Sequence, residues 1–139
     1  MKALIVDDLH ESRILLHNIL RPFGDCDAVD NGRDAIEMFR MAFEQEEAYD
    51  LVLLDLTMPE MDGMEVLQAM RSLEQELGVD PNIQTIIIIV SAVDALSEIE
   101  TCFRIGASDY INKPIIAGKL LGKLSQHNLV IKRWWEKRP

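Results

Sequence analysis

The feature that most constrains this chain is a set of unbroken apolar runs rich in β-branched residues: ALIV at 3–6, LVLL at 51–54 and IIIIV at 86–90. A strand with one face in water alternates apolar with polar residues; these runs do not, so both faces of each must be covered. A parallel sheet held between two helical layers meets that requirement. Weaker strand candidates lie at 26–29 and 109–111, and apolar residues recur at helical spacing over 11–20, 33–48, 64–77, 98–105 and 115–128. Ser97 with Glu100 reads as a capping box, and Asp62 with Glu65 resembles one. Five strands alternating with five helices give an α/β fold, and right-handed crossovers make it a single (βα)5, doubly wound parallel sheet. With 139 residues one core is expected. We expect one domain over 1–128 and a C-terminal extension over 129–139.

Charge is divided unevenly. Residues 1–118 carry 8 Lys/Arg against 23 Asp/Glu, whereas 119–139 carry 6 against 1. An acidic body repels phosphate backbones and attracts cations, which argues against direct DNA binding. Cys26 and Cys102 lie far apart with no CxxC or Cys/His cluster, so neither a zinc site nor a disulfide framework is expected. The first apolar run is too short for a signal h-region, and no run approaches a membrane span. The expectation is a cytoplasmic protein with no membrane span.

In doubly wound sheets the functional crevice lies beyond the carboxyl ends of the strands. Asp7 and Asp8 end the first strand, Asp55 the third and Ser91 the fourth, while Lys113 follows the fifth. Each alone has a structural reading as a cap, a turn residue or a solvated charge. Three carboxylates, a hydroxyl and an ammonium delivered to one edge point jointly to function. Clustered carboxylates suit a hard cation, and Mg²⁺ is the natural occupant; His10 faces solvent in this reading. An Asp beside the metal, with Lys and Ser converging on it, is able to attack a phosphoryl group and hold it as an acyl phosphate.

IVDD at 5–8, DLTMPEMDG at 55–63, SA at 91–92 and GASDYINKP at 106–114 resemble the receiver domain of two-component response regulators over residues 2–127. The resemblance implies a flavodoxin-like fold with strand order 2-1-3-4-5. It implies Asp55 as phosphoacceptor, with Asp7, Asp8, Asp55 and the Thr57 backbone carbonyl holding Mg²⁺. Lys113, Ser91 and the Ala92 backbone would bind the phosphoryl group. Ser91 and Tyr110 would form the switch, and the bond to Pro114 would be cis. A histidine kinase or phosphotransfer protein would be the donor in a two-component system or phosphorelay. Output would pass to a downstream target, or to a second copy, through the face of helix four, strand five and helix five. Such a domain is regulatory rather than an enzyme, assisting only its own phosphotransfer and autodephosphorylation. The alternative is an interaction module that uses the receiver fold without phosphorylation.

Two rivals of other classes fail on residues. A haloacid-dehalogenase-type phosphatase needs DxDx[TV], and position 9 is Leu; a flavodoxin-like flavin carrier needs a Gly/Ser/Thr-rich phosphate loop where this chain has DDLHES. The short extension leaves no room for an output domain, so a stand-alone, chemotaxis-receiver-like regulator is expected. Within it, Leu120, Leu124, His127, Ile131 and Trp134 follow a 4-3-4-3 spacing. That spacing predicts either a continued fifth helix, with Trp134 and Trp135 on or beside the output face, or a tail folded on the body or frayed.

Overall fold

The expected runs become five parallel strands because alternate residues of each find a different helical layer. The computed structural model describes residues 1–129, ordered β1 (Lys2–Val6), α1 (His10–Leu20), β2 (Asp25–Val29), α2 (Gly32–Glu44), β3 (Leu51–Leu54), α3 (Gly63–Glu76), β4 (Ile86–Ser91), α4 (Leu96–Ile105), β5 (Asp109–Asn112) and α5 (Ala117–Gln126). All neighbours pair in parallel, in the order β2-β1-β3-β4-β5. Leu4, Val6, Val52, Leu54, Ile87 and Ile89 pack with Ala35, Phe39, Val66, Leu67, Met70 and Cys102 of α2, α3 and α4. Ala3, Ile5, Leu51, Leu53, Ile88 and Val90 turn the other way, onto Leu16 and Leu20 of α1 and Leu120 and Leu124 of α5. Two dry faces per strand are what an unalternating sequence demands. Cys26 and Cys102 are both free thiols.

Helix ends depart from the periodicity. The apolar spacing runs to residue 48, yet α2 stops at Glu44 because Glu46 takes a left-handed backbone, φ 59°. The Glu47 and Glu46 amides then bond back to the Ala42 and Phe43 carbonyls, closing a Schellman turn without a glycine. At its start α2 is capped by Asn31, whose side-chain oxygen accepts from the Asp34 amide at 2.8 Å. Asp62 caps α3 in the same way, through the Glu65 amide at 3.0 Å. The box expected at Ser97 does not form. The backbone enters α4 at Ala95, which puts Ser97 inside the first turn, where its carbonyl accepts from the Thr101 hydroxyl.

The fifth helix also ends early. Asn128 is left-handed at φ 60°, and the Leu129 and Asn128 amides bond back to Leu124 and Ser125, a second Schellman turn. His127 therefore leaves the expected stripe, and its Nε2 instead meets Asp109 Oδ2 at 2.9 Å. Ile131, Trp134, Trp135 and the rest of the expected extension beyond Leu129 lie outside the described residues.

At the amino ends of β4 and β5 sits a buried polar network. Glu74 is fully buried, and its two oxygens accept from Arg71 Nη1 at 2.6 Å and the Thr85 amide at 2.8 Å. Arg71 also donates to the carbonyls of Thr85 and Gly106 and to the Ser108 hydroxyl, at 2.8, 2.9 and 3.2 Å. Gly106 closes α4 at φ 134°, where a Cβ would press within 3.1 Å of the Arg71 side chain.

Candidate functional site

Register places the site. The β1 and β3 ladders run level from Ala3 opposite Leu51 to Val6 opposite Leu54, so the next residue of each, Asp7 and Asp55, emerges at the same height. The Asp55 amide continues the ladder onto the Val6 carbonyl at 2.9 Å. Asp7 is 1% exposed and Asp55 5%, while Asp8 is partly exposed. Carboxylate oxygens of the three lie within 4.8 Å of one another. Asp8 makes no capping bond to α1, whose N-cap is Leu9; its carboxylate belongs to this cluster instead.

One cation enters the cluster. The Lys113 ammonium donates to Asp7 Oδ2 at 2.9 Å and to Asp55 Oδ2 at 3.3 Å. It is aimed from the end of β5, where the Lys113 amide bonds the Ser91 carbonyl and the Lys113–Pro114 peptide is cis. The other carboxylate oxygens meet backbone: Asp7 Oδ1 accepts from the Leu9 amide at 2.9 Å, Asp55 Oδ1 from Thr57 at 3.2 Å. Burial lifts the Asp55 carboxyl above its ordinary range; Lys113 opposes the rise and Asp7 adds to it. Burial disfavours the charged Lys113, but its bond to Asp7 and the charge of Asp55 outweigh that and hold its pKa above the ordinary value. Three carboxylates facing one ammonium leave an excess of negative charge. An all-oxygen, anionic, half-open donor set of this kind fits Mg²⁺.

The opposite wall is the loop after β4. Ser91 is buried, and its hydroxyl oxygen accepts from the Val93 amide at 3.2 Å. The Val93 carbonyl is held from β5 by the Tyr110 hydroxyl and by the Asn112 amide, the latter at 3.0 Å. Ala92 is exposed between the two. A cleft of about 360 Å³ opens beside Thr57 between the start of α3 and α4.

Two contributors were not legible beforehand. Arg13 reaches from α1 to the Asp7 carbonyl at 2.9 Å, and Asn112 shares the Val93 carbonyl with Tyr110. Asn112 pairs in register with Ser91, so a polar residue directly opposite the strand-end serine was the available signal. His10 stands apart from the carboxylates, its Nδ1 3.3 Å from Arg13.

The sequence model of the family described as response regulator receiver domain matches residues 3–125. The chemotaxis protein CheY of Bacillus subtilis is 32% identical over 127 residues, covering 90% of this chain and 95% of the relative. Hybrid signal transduction histidine kinase L of Dictyostelium discoideum is 32% identical over 116 residues, which is 82% of this chain but only 6% of that protein. Among solved structures, a CheX–CheY–BeF3–Mg²⁺ complex from Borrelia burgdorferi contains a chain matched with a TM-score of 0.80 at 25% identity, over 94% of this chain and 90% of that one. Among the described residues no helix is long and apolar enough to cross a membrane.

Proposed function

The chain belongs to the response regulator receiver domain family, and from that premise we propose that Asp55 is its phosphoacceptor, served by Asp7, Asp8, Thr57, Ser91, Ala92 and Lys113. Receiving a phosphoryl group in two-component signalling is the role of such a domain, and that role is regulatory rather than enzymatic in the ordinary sense. The observation that carries the residue assignment is the Lys113 ammonium bridging the buried Asp7 and Asp55 carboxylates within a three-carboxylate cluster.

In the proposed reaction a carboxylate oxygen of Asp55 attacks the donor phosphorus. The bond from phosphorus to the donor's leaving atom breaks, its electron pair departs with the leaving group, and Asp55 is left as an acyl phosphate. Asp7, Asp8, Asp55 and the Thr57 carbonyl would hold Mg²⁺, which supplies positive charge against the phosphoryl oxygens. Lys113 offers the remaining charge and loses half of its present bridge as Asp55 is esterified. The Ser91 hydroxyl now accepts a bond and so keeps its proton to donate to a phosphoryl oxygen. Drawing Ser91 inward pulls on Val93, whose carbonyl is tied to Tyr110 and Asn112, so the loop after β4 and the face of α4, β5 and α5 shift together. The donor is a histidine kinase or phosphotransfer protein, and that face is where a downstream protein or a second copy reads the state.

Intact-mass measurement after incubation with acetyl phosphate tests the assignment. One phosphoryl group is expected, dependent on Mg²⁺ and absent in Asp55→Asn. Equal labelling of Asp55→Asn, or labelling indifferent to EDTA, would sink it; no labelling under any condition would favour a phosphorylation-independent interaction module.

A further inference from the structure

The end of the sheet opposite Asp55 carries an open groove of about 610 Å³, within the size range of small-molecule sites. Its apolar walls include Phe43 of α2, Ile83 of the α3–β4 loop, Ile86 of β4 and Leu129. Ile83 is 74% exposed, the most exposed large apolar side chain among the described residues. Asp50 and Asp80 supply negative charge, His127 also lines the groove, and among the described residues no Lys or Arg does.

Leu129 is the last described residue, and it is itself part of the wall. The Schellman turn at Asn128 ends α5 and seats Leu129 against the core. The ten residues that follow, VIKRWWEKRP, carry Lys132, Arg133, Lys137 and Arg138 against Glu136 alone, and both tryptophans of the chain. Trp134 lies five residues beyond a groove wall, a span of up to about 17 Å in extended chain. We propose that residues 130–139 occupy this groove, the indoles covering Ile83 and Ile86 and the basic side chains facing Asp50 and Asp80. A large flat apolar ring with a polar edge suits a site whose walls are apolar and whose rim is acidic. Docked there, the segment leaves the face of α4, β5 and α5 free.

Tryptophan emission from the full chain tests this directly, since no other tryptophan contributes. Acrylamide should quench the folded protein several-fold less than the same chain in guanidinium. Ile83→Glu, at a position too exposed to govern folding, should lower the docked fraction about tenfold and raise quenching accordingly. Lys132→Glu with Arg133→Glu should do the same from the other partner. Protection should be independent of protein concentration. Quenching of the wild type equal to that of the unfolded chain would overturn the proposal. So would protection that ignores both variants, which would place the segment elsewhere, or protection lost on dilution, which would put a second copy in the groove.

Discussion

At the carboxyl ends of β1 and β3, three carboxylates cluster and one ammonium bridges two of them, Asp7 and Asp55. At the amino end of β4, one carboxylate shares one guanidinium, and Thr85, Gly106 and Ser108 take up the remaining bonds. Both groups are buried charges on the same sheet. In the second, charge balances and both Glu74 oxygens are engaged, which is how a buried ion pair becomes part of a scaffold. The first has an excess of negative charge that no other cation among the described residues pairs with, and one of its carboxylates, Asp8, is partly exposed. Burial of charge alone does not mark a site; burial with unbalanced charge does.

Removing a carboxylate should therefore have opposite effects at the two ends. The largest expected effect is at Glu74. Glu74→Ala strands the Arg71 guanidinium and the Thr85 amide, and should destabilise the fold by about 3–5 kcal/mol in chemical denaturation. A loss under 1 kcal/mol would mean the network is dispensable and the contrast false. Next is the response to Mg²⁺: at a hundredfold excess over Kd the wild type should gain about 2.7 kcal/mol, and Asp8→Asn should abolish most of it by weakening binding. Without metal, Asp55→Asn should stabilise by about 1–2 kcal/mol, because it relieves burial of a charge and repulsion from Asp7. If Asp55→Asn melts lower than the wild type without Mg²⁺, the site is not strained.

The smallest effect probes an intermediate case. Burial would raise the Asp109 carboxyl, but the bonds from His127, the Tyr110 amide and Lys123 outweigh it and hold the pKa below its ordinary value. A depressed carboxylate stabilises the fold above its unfolded pKa of about 3.9, and that contribution is lost as pH falls through the folded value. Asp109→Asn should lower Tm modestly at pH 7 and leave it unchanged at the acid limit, where the wild type has lost the same interaction. A deficit that persists in acid would assign Asp109 a role other than charge.

The fold and the strand-end cluster were legible because both follow from strand positions. LVLL and IIIIV have no polar face to expose, and a residue after a parallel strand stands at the crevice whatever surrounds it. The Arg71–Glu74 pair was not legible. Both fall inside a helical segment at polar positions that periodicity sends to solvent. Only the arrival of β4 and the α4–β5 turn, from eleven to thirty-seven residues away, encloses them. Helix ends failed for a related reason. Glu46 and Asn128 adopt left-handed backbones that glycine would have announced, and Ser97 with Glu100 matches a box in spelling while the backbone enters the helix two residues earlier.

Gly63 sets the mechanics of the proposed switch. A Cβ there would stand 2.2 Å from the Asp55 carbonyl oxygen and 2.6 Å from the Leu56 Cα, so the first turn of α3 rests directly on the backbone of the proposed phosphoacceptor. That side of the crevice is an anvil, seated atom on atom with no slack. The facing side is held at Val93 by bonds from Tyr110 and Asn112, and in the proposed switch it is the jaw that moves. In the proposed switch, a push from Asp55 would therefore travel toward α4 and β5. Any larger residue at position 63 would lift the anvil and let the same push dissipate into α3.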